Sequence, residues 1–293
     1  MATITVDSEN STPIDLYYED HGAGDPVVLI HGWPLSGRSW EKQVPALIAA
    51  GYRVITYDRR GFGDSSKPWT GYDYDTLAQD LDRVLTKLDL RKVSLIGFSM
   101  GGGEVARYLG AYGAGRVRKA AFIAAVTPYL LKAADNPPGV DVSVFDGLRQ
   151  GLTQDRLAFL SNFFPNFYNA DVLRGLRVSD DLLRLAWTIA AGASPKATHD
   201  VIASWGTDFR ADLKRIDVPT LIVHGDADRI VPFEVSGQRM PELVKGSRLV
   251  LVEGGPHGLN WTHADELNRA LLEFLRAEGW RASRSKLVDL TQR

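Results

Sequence analysis

The sequence predicts an α/β protein with a mostly parallel central sheet flanked by helices, and with a helical cap inserted after the sixth strand. Two observations predict this fold class: short apolar, β-branched runs alternate with longer amphipathic runs, and the alternation is interrupted once. Unbroken apolar strands are typical of a sheet that is covered on both faces. The length of 293 residues suits one large domain, or one domain that carries an inserted subdomain.

Eight segments have the composition of β-strands. We expect the two nearest the start to form an antiparallel edge, and the other six are short apolar runs typical of buried parallel strands. In chain order, the predicted strands are residues 3–6, 14–18, 27–30, 52–57, 93–98, 120–126, 220–224 and 248–252.

Five longer runs predict helices. In one of them, from Leu77 to Leu88, the apolar residues recur at the spacing of a helix with one buried face. The predicted helices are residues 40–50, 74–88, 100–111, 233–244 and 264–277.

The alternation stops after the sixth predicted strand. The interval that follows is rich in proline and aromatic residues and contains helical patches such as residues 180–191, and strand signals resume at Thr220. A helical insertion between two strands of one sheet is the simplest explanation. We therefore divide the chain into an α/β core (residues 1–126 and 211–279), a helical cap (127–210) and a polar C-terminal tail (280–293).

The composition excludes several classes of function. The formal net charge of −2 gives no indication of a nucleic acid or an anionic membrane as partner. The absence of cysteine excludes disulfides, thiolate nucleophiles and metal sites with cysteine ligands. The N-terminus lacks the pattern of a signal peptide, and no window approaches the ~18 apolar residues that span a bilayer. We therefore expect a soluble, cytoplasmic protein.

Ser99 is the predicted nucleophile. It is the central residue of a G-x-S-x-G pattern, formed by residues 97–101, that directly follows a predicted strand and directly precedes a predicted helix. This is the context of a nucleophile elbow, a tight strand-to-helix turn that projects the serine Oγ above the sheet. The alternative is an incidental glycine-rich turn, and the placement between strand and helix favours the nucleophile.

A serine hydroxyl needs a base and an acid to act as a nucleophile. In the α/β-hydrolase fold these follow the serine in the order acid, then histidine. His257, in a flexible turn after the last predicted core strand, is the predicted base, whereas His263 is better explained as a surface or capping residue. The acid should follow the preceding strand, where Asp226 and Asp228 both lie. Spacing alone favours Asp228 only modestly.

Two backbone amides are expected to form an oxyanion hole. One belongs to Met100, the residue after the nucleophile, and the other to Trp33, in the loop after predicted strand 27–30. We expect a fairly small apolar pocket, with cap aromatics from residues 159–164 above it, although each of these side chains could also be plain core. The predicted substrate-binding residues are Trp33, Phe98, Trp205, Ile230 and Phe233.

Four segments resemble the cofactor-free bacterial haloperoxidases, which are also described as non-haem chloroperoxidases, arylesterases or perhydrolases. The segments are residues 31–35, 57–65, 97–108 and 224–232. The resemblance implies that Asp228 is the acid and that the enzyme needs no cofactor or metal. It also implies a homo-oligomer, often a trimer or hexamer. The implied substrates are small esters, γ-lactams and, with hydrogen peroxide, short carboxylic acids, which are converted to peracids that oxidise halide.

Three rival interpretations remain at this point. Epoxide hydrolases and haloalkane dehalogenases share the fold but have an aspartate at the elbow, where this chain has Ser99. A catalytically slow ligand-binding or signalling protein is opposed by the complete set of serine, acid and base. A true redox peroxidase is opposed by the lack of cysteine and of an evident cluster of metal ligands.

Overall fold

The computed structural model describes residues 1–277 and 288–289, which contain a nine-stranded sheet with the order β1-β2-β4-β3-β5-β6-β7-β8-β9. The first two strands pair antiparallel, β2 is also antiparallel to β4, and the pairs from β4 to β9 are parallel. The strands are β1 (Thr3–Glu9), β2 (Thr12–His21), β3 (Pro26–Ile30), β4 (Arg53–Tyr57), β5 (Val93–Phe98), β6 (Val117–Ile123), β7 (Thr220–Gly225), β8 (Arg248–Val252) and β9 (Val288–Asp289).

The eight predicted strands all form, and β9 is an additional short edge strand within the predicted tail. The rest of that tail, residues 280–287 and 290–293, lies outside the described residues. The sixth strand ends at Ile123, three residues before its predicted end, because Ala124 has a positive φ of 42° that stops the extended backbone. The antiparallel edge and the parallel remainder confirm the predicted fold class.

Eleven α-helices cover the sheet and form the segment between β6 and β7 in the described part of the chain. They are α1 (Gln43–Ala49), α2 (Tyr74–Lys87), α3 (Met100–Tyr112), α4 (Val142–Phe167), α5 (Ala170–Leu173), α6 (Asp180–Ala191), α7 (Pro195–Asp200), α8 (Arg210–Leu213), α9 (Met240–Leu243), α10 (Leu259–Thr262) and α11 (Ala264–Arg276). Short 3₁₀ helices cover Gly37–Trp40, Val201–Gly206 and Phe233–Val235.

Local sequence explains where helix α2 begins and which face it buries. The Asp73 side chain accepts a hydrogen bond of 2.9 Å from the Thr76 amide, which satisfies one of the free amides of the first turn. Leu77, Leu81 and Leu85 are fully buried against the sheet and α3. The predicted helix of residues 74–88 therefore forms as its apolar spacing indicates.

The predicted helix of residues 233–244 was wrong. Its place is taken by a 3₁₀ turn at Phe233–Val235 and by the four-residue helix α9. Ser236 leaves helical angles (φ −124°, ψ −100°), and its hydroxyl donates a hydrogen bond of 2.5 Å to the carbonyl oxygen of Ala125. A Cβ on Gly237 would lie 2.7 Å from His224 Nδ1, so this backbone is held against the end of β7. Tertiary contacts thus override the helical pattern.

The segment between β6 and β7 is helical, as predicted for the cap, and we refer to residues 127–210 as the cap. It lies against the loops that follow three strands of the parallel sheet, β3, β7 and β8. Phe163 packs edge-on against Trp33 after β3, with 5.2 Å between ring centroids. Asp171 is paired with Arg229 after β7, and the carbonyl of Phe167 accepts a hydrogen bond from the Gly258 amide after β8. No helix of residues 1–277 is long and apolar enough to span a membrane.

Candidate active site

Ser99 lies on a strained turn between β5 and α3. Its backbone has φ 54° and ψ −118°, a region that residues other than glycine rarely adopt. A Cβ on Gly97 would collide with the carbonyl oxygen of Gly101, so glycine is required where the end of β5 passes the start of α3. This is the geometry of a nucleophile elbow, and it agrees with the one predicted from residues 97–101.

Ser99, His257 and Asp228 form one continuous chain of hydrogen bonds. His257 Nε2 lies 2.8 Å from Ser99 Oγ, and His257 Nδ1 lies 2.8 Å from Asp228 Oδ2. Because an ionised carboxylate only accepts, the proton of the neutral ring is on Nδ1 and Nε2 accepts from the serine hydroxyl. The three predicted residues, which are far apart in sequence, are therefore brought together by the loops after β5, β7 and β8.

The alternative base and acid lie outside this chain of hydrogen bonds. Asp226 Oδ1 accepts a hydrogen bond of 2.7 Å from the Gly254 amide, which holds the loop that carries His257. His263 Nδ1 lies 2.9 Å from Thr262 Oγ1. His263 occupies the N-cap position of α11, although its side chain makes no capping hydrogen bond. The alternative of a surface residue was wrong, since only 5% of its surface is accessible. The start of α11 is covered, which the amphipathic pattern of one helix does not reveal.

Asp228 is buried, and groups of the protein take the place of water around its carboxylate. Its Oδ1 accepts from the amides of Ile230 (2.9 Å) and Val231 (2.8 Å). Burial alone would raise the pKa of Asp228, but the neighbouring rings of His257 and His224 outweigh burial and hold that pKa well below its usual range. Asp228 is therefore ionised at neutral pH.

His224 is a residue of the site that sequence reasoning missed. It is the next-to-last residue of β7, and its Nε2 lies 3.3 Å from Asp228 Oδ2 and 2.9 Å from the Val231 carbonyl oxygen. Its sequence context is that of an ordinary structural histidine. The available signal was its place four residues before Asp228, at the end of the same predicted strand.

The two amides expected to bind an oxyanion are placed beside the nucleophile. The loop after β3 touches the elbow, because a Cβ on Gly32 would lie 2.9 Å from Ser99 Cβ. Met100 is the first residue of α3, where helix amides have no partner within the helix. Among residues 1–277, neither the Trp33 amide nor the Met100 amide donates a hydrogen bond to another residue.

A cavity of about 190 Å³ opens onto Ser99 and His257. It is lined mainly by apolar side chains, and three of the predicted substrate-binding residues, Trp33, Trp205 and Ile230, are among them. The other lining residues are Val126, Leu130, Val140, Val144, Phe145, Leu148, Phe163, Asn166, Arg229 and Val231. The cap therefore forms much of the cavity wall.

Phe98 and Phe233, also predicted to bind substrate, do not line this cavity. Phe98 is fully buried behind His257, with 5.2 Å between the two ring centroids. Phe233 follows Pro232 into a 3₁₀ turn and packs on the His224 ring at 5.7 Å. Both pack on histidines of the candidate site, and a position next to a motif could not distinguish that role from pocket lining.

The described residues contain no group of three or more histidine or acidic side chains placed to hold a metal ion.

Comparison with known proteins agrees with this geometry. Residues 25–264 match the family described as the alpha/beta hydrolase fold. The chain is 60% identical to the "Putative non-heme chloroperoxidase" of Synechocystis sp., over 94% of this chain and 100% of that protein. It is 39% identical to a bifunctional esterase/perhydrolase of Acinetobacter calcoaceticus, over 90% of this chain and 97% of that protein.

A solved structure, the bromoperoxidase from Bacillus anthracis, superposes with a TM-score of 0.91 at 55% identity and covers 94% of this chain and 99% of that one. These three proteins match at least 90% of this chain, at identities between 39% and 60%. The chain therefore belongs to the α/β-hydrolase family, in its group of non-heme haloperoxidases and esterase/perhydrolases, and is a hydrolase.

Proposed function

We propose that this enzyme acts by acyl transfer on small carboxylic esters, with Ser99 as nucleophile, His257 as base and Asp228 as the orienting acid. The observation that carries the proposal is the unbroken hydrogen-bond chain Ser99–His257–Asp228 at the wall of an apolar cavity. A serine attached to a buried, oriented imidazole is the arrangement that activates a hydroxyl group for attack on a carbonyl carbon.

The first half of the reaction forms an acyl-enzyme. Ser99 Oγ attacks the ester carbonyl while His257 Nε2 takes the hydroxyl proton, and ionised Asp228 stabilises the imidazolium. The negative charge that develops on the carbonyl oxygen is stabilised by the amides of Trp33 and Met100. His257 then gives its proton to the leaving alcohol, and the acyl group stays on Ser99.

The second half depends on the acceptor. Water attacks the acyl-enzyme, loses a proton to His257 and releases the carboxylic acid and free Ser99. Hydrogen peroxide in the same place gives a peracid, which would oxidise halide in solution. The names of the relatives, a chloroperoxidase and an esterase/perhydrolase, support this second acceptor.

The cavity supports a small, apolar acyl group. Trp33, Trp205 and Ile230 are the proposed substrate-binding residues, since they line a volume of about 190 Å³ beside Ser99. Aromatic and aliphatic walls with few polar groups favour short acyl or aryl substrates. The γ-lactams are a further proposed substrate class. We also propose a homo-oligomer, a trimer or hexamer, as the resemblance implies.

The test is a panel of short alkyl esters, aryl esters and γ-lactams, each assayed with and without hydrogen peroxide. We expect multiple turnovers on short esters and peracid formation when peroxide is present. A catalytically slow binding protein would instead release one burst of p-nitrophenol from p-nitrophenyl acetate and then stop. That result would overturn the proposal.

A further inference from the structure

Two histidines contact the same carboxylate oxygen in the core of this enzyme. His257 Nδ1 lies 2.8 Å from Asp228 Oδ2, and His224 Nε2 lies 3.3 Å from it on the other side. The side chains of both histidines are 1% exposed and that of Asp228 is 0% exposed, so water does not screen these contacts. The acyl-transfer mechanism above uses only His257.

The protonation of His224 follows from its partners. Its Nε2 is 2.9 Å from the Val231 carbonyl oxygen, which can only accept, so Nε2 carries the proton. Its Nδ1 is buried and has no hydrogen-bond partner among the described residues. A second proton, on Nδ1, would be buried without an acceptor. The Nε2–H therefore donates to the Val231 carbonyl oxygen at 2.9 Å and has Asp228 Oδ2 as a second, longer contact at 3.3 Å.

His224 is connected to both oxygens of Asp228. The direct contact is to Oδ2. The indirect one passes through Val231, whose carbonyl is held by His224 and whose amide donates a hydrogen bond of 2.8 Å to Oδ1. Phe233 packs on the other side of the His224 ring and restricts its movement. The His224 side chain thus restrains both carboxylate oxygens of Asp228, one directly and one through Val231.

We propose that His224 is a positioning residue for the catalytic triad: through its Nε2–H it fixes Asp228 and limits the negative charge that Oδ2 offers to His257. The inference rests on the acyl-transfer function proposed above. A carboxylate that shares its charge with a second donor stabilises the His257 imidazolium less, so the base returns its proton more readily to the leaving group.

Other charged and titratable groups lie in the elements around His224 and Asp228, but they are engaged elsewhere. In the loop after β7, Asp226 accepts from the Gly254 amide, and Arg229 is paired at 2.8 Å with Asp171 of the cap. The cap also contributes Tyr168, whose pKa is raised by burial, so that its hydroxyl is neutral. Near α10, burial lowers the pKa of His263. Among the residues described, none of these donates a hydrogen bond to Asp228.

The test compares two substitutions of similar length, His224→Met and His224→Gln. Glutamine places an amide donor near the position of Nε2, whereas methionine has none. Hydrolysis of p-nitrophenyl acetate is measured from pH 5 to 8. We expect His224→Met to lower kcat by roughly tenfold, about 1.4 kcal/mol, with KM changed by less than about twofold. Its pH–rate profile should shift upward by about half a unit, because Asp228 then attracts the His257 proton more strongly.

The glutamine variant is the conservative rescue. We expect it to keep the wild-type pH profile and to lose less than about threefold in kcat, since the donor is retained. A wild-type profile in His224→Met, or equal losses in both variants, would show that only the packing of the ring matters and would overturn the proposal. Wild-type enzyme without turnover would instead refute the proposed function itself.

If His224→Met does not fold, the proposal can still be tested directly on the wild-type enzyme. In ¹⁵N-histidine-labelled protein, the Nε2–H resonance of His224 should move with the same midpoint as the titration of His257, because both rings share Asp228. A His224 resonance that stays fixed while His257 titrates would overturn the proposal without any variant.

Discussion

The guanidinium group of Arg59 donates a hydrogen bond of 2.7 Å from Nη2 to the carbonyl oxygen of His31. Arg59 follows β4, and His31 begins the loop after β3 that carries the Trp33 amide. The Nε of Arg59 is paired with Glu104 of α3, whose other oxygen accepts a hydrogen bond of 2.6 Å from the Tyr57 hydroxyl. One buried ionic network therefore connects the loop and the helix that supply the two proposed oxyanion donors.

This network makes Arg59 important for stability. In Arg59→Met the Glu104 carboxylate would stay buried without its charged partner, and we expect the free energy of unfolding to fall by about 3–5 kcal/mol. Denaturant unfolding measures it. Arg53→Met is the control, because Arg53 pairs with Asp20 at the surface, where both side chains are partly exposed. That change should cost less than about 1 kcal/mol. Equal losses in both variants would contradict the argument.

Ser99→Ala should abolish catalysis without unfolding the protein. We expect kcat for an activated ester to fall at least ~10³-fold, because the reaction loses its activated nucleophile. Phenylmethylsulfonyl fluoride should modify the wild-type enzyme once, on the peptide that contains Ser99. Ser94→Ala, on the same buried strand, is the matched control and should keep its activity. Modification of another peptide would refute the assignment of Ser99.

The two aspartates after β7 should respond differently to the same substitution. Asp228→Asn should lower kcat by about 10³–10⁴-fold, because the amide favours the wrong tautomer of His257. Asp226→Asn should change kcat only a few-fold and act on stability, since Asp226 holds the Gly254 amide and does not contact the histidine. Steady-state kinetics on both variants decides between them, and reversed losses would make Asp226 the acid.

The sequence pointed to Ser99 and His257 because each lies in a local pattern at a strand end, whereas the choice of Asp228 over Asp226 came from the family resemblance. The elbow of Ser99 needs glycines at fixed positions, and parallel strands bring their carboxyl ends to one edge of the sheet, so the loops with Asp228 and His257 had to meet there. The fold class and the order of strands and helices could be predicted because apolar and amphipathic runs are likewise local features of the sequence.

The residues that were missed depend on contacts across the fold. His224 looks like any histidine in a strand, and only the structure shows Asp228 Oδ2 3.3 Å from its ring. Phe98 and Phe233 were expected in the pocket, although they pack behind the two histidines. A single sequence without its partners in space does not say which face of an aromatic ring meets substrate and which meets the core.

Stability should fall in mild acid because of His31. This ring is fully buried, with Nε2 accepting from the Arg59 amide at 3.0 Å and Nδ1 donating to the Gly32 carbonyl at 2.9 Å. Burial, together with the charge of Arg59, holds the pKa of His31 well below its usual value. The unfolded chain therefore takes up a proton below about pH 6.5 that the folded protein does not, and folding is disfavoured as the pH falls.

Urea unfolding at pH 7.5, 6.0 and 5.0 measures this effect. His31→Asn retains a donor to Gly32 but cannot titrate, so it should be less stable at pH 7.5 and less sensitive to acid. Between pH 6 and 5 its loss of unfolding free energy should be smaller than that of wild type by up to about 1.4 kcal/mol per pH unit. Parallel losses in the two proteins would exclude His31 as the source.

Any halogenation by this enzyme should be acyl transfer followed by chemistry in solution. Ser99 would take the acyl group of acetic acid with release of water, and hydrogen peroxide would then remove it as peracetic acid. The peracid oxidises bromide and returns to acetate, so no redox centre in the protein is needed. Bromination of a dimedone-type acceptor should therefore require both peroxide and a short carboxylate or ester, and should persist in strong chelators.

The decisive comparison is the rate of bromination in acetate against a buffer without carboxylate, with wild type and Ser99→Ala side by side. We expect the wild-type rate to follow acetate concentration up to saturation of the cavity, and the rate of Ser99→Ala to equal that of the enzyme-free mixture. Because both halves of the cycle pass through the same serine, phenylmethylsulfonyl fluoride should stop ester hydrolysis and bromination in parallel. Equal rates in the two buffers, or bromination that survives loss of the Ser99 hydroxyl, would mean that the oxidant does not arise from an acyl-enzyme.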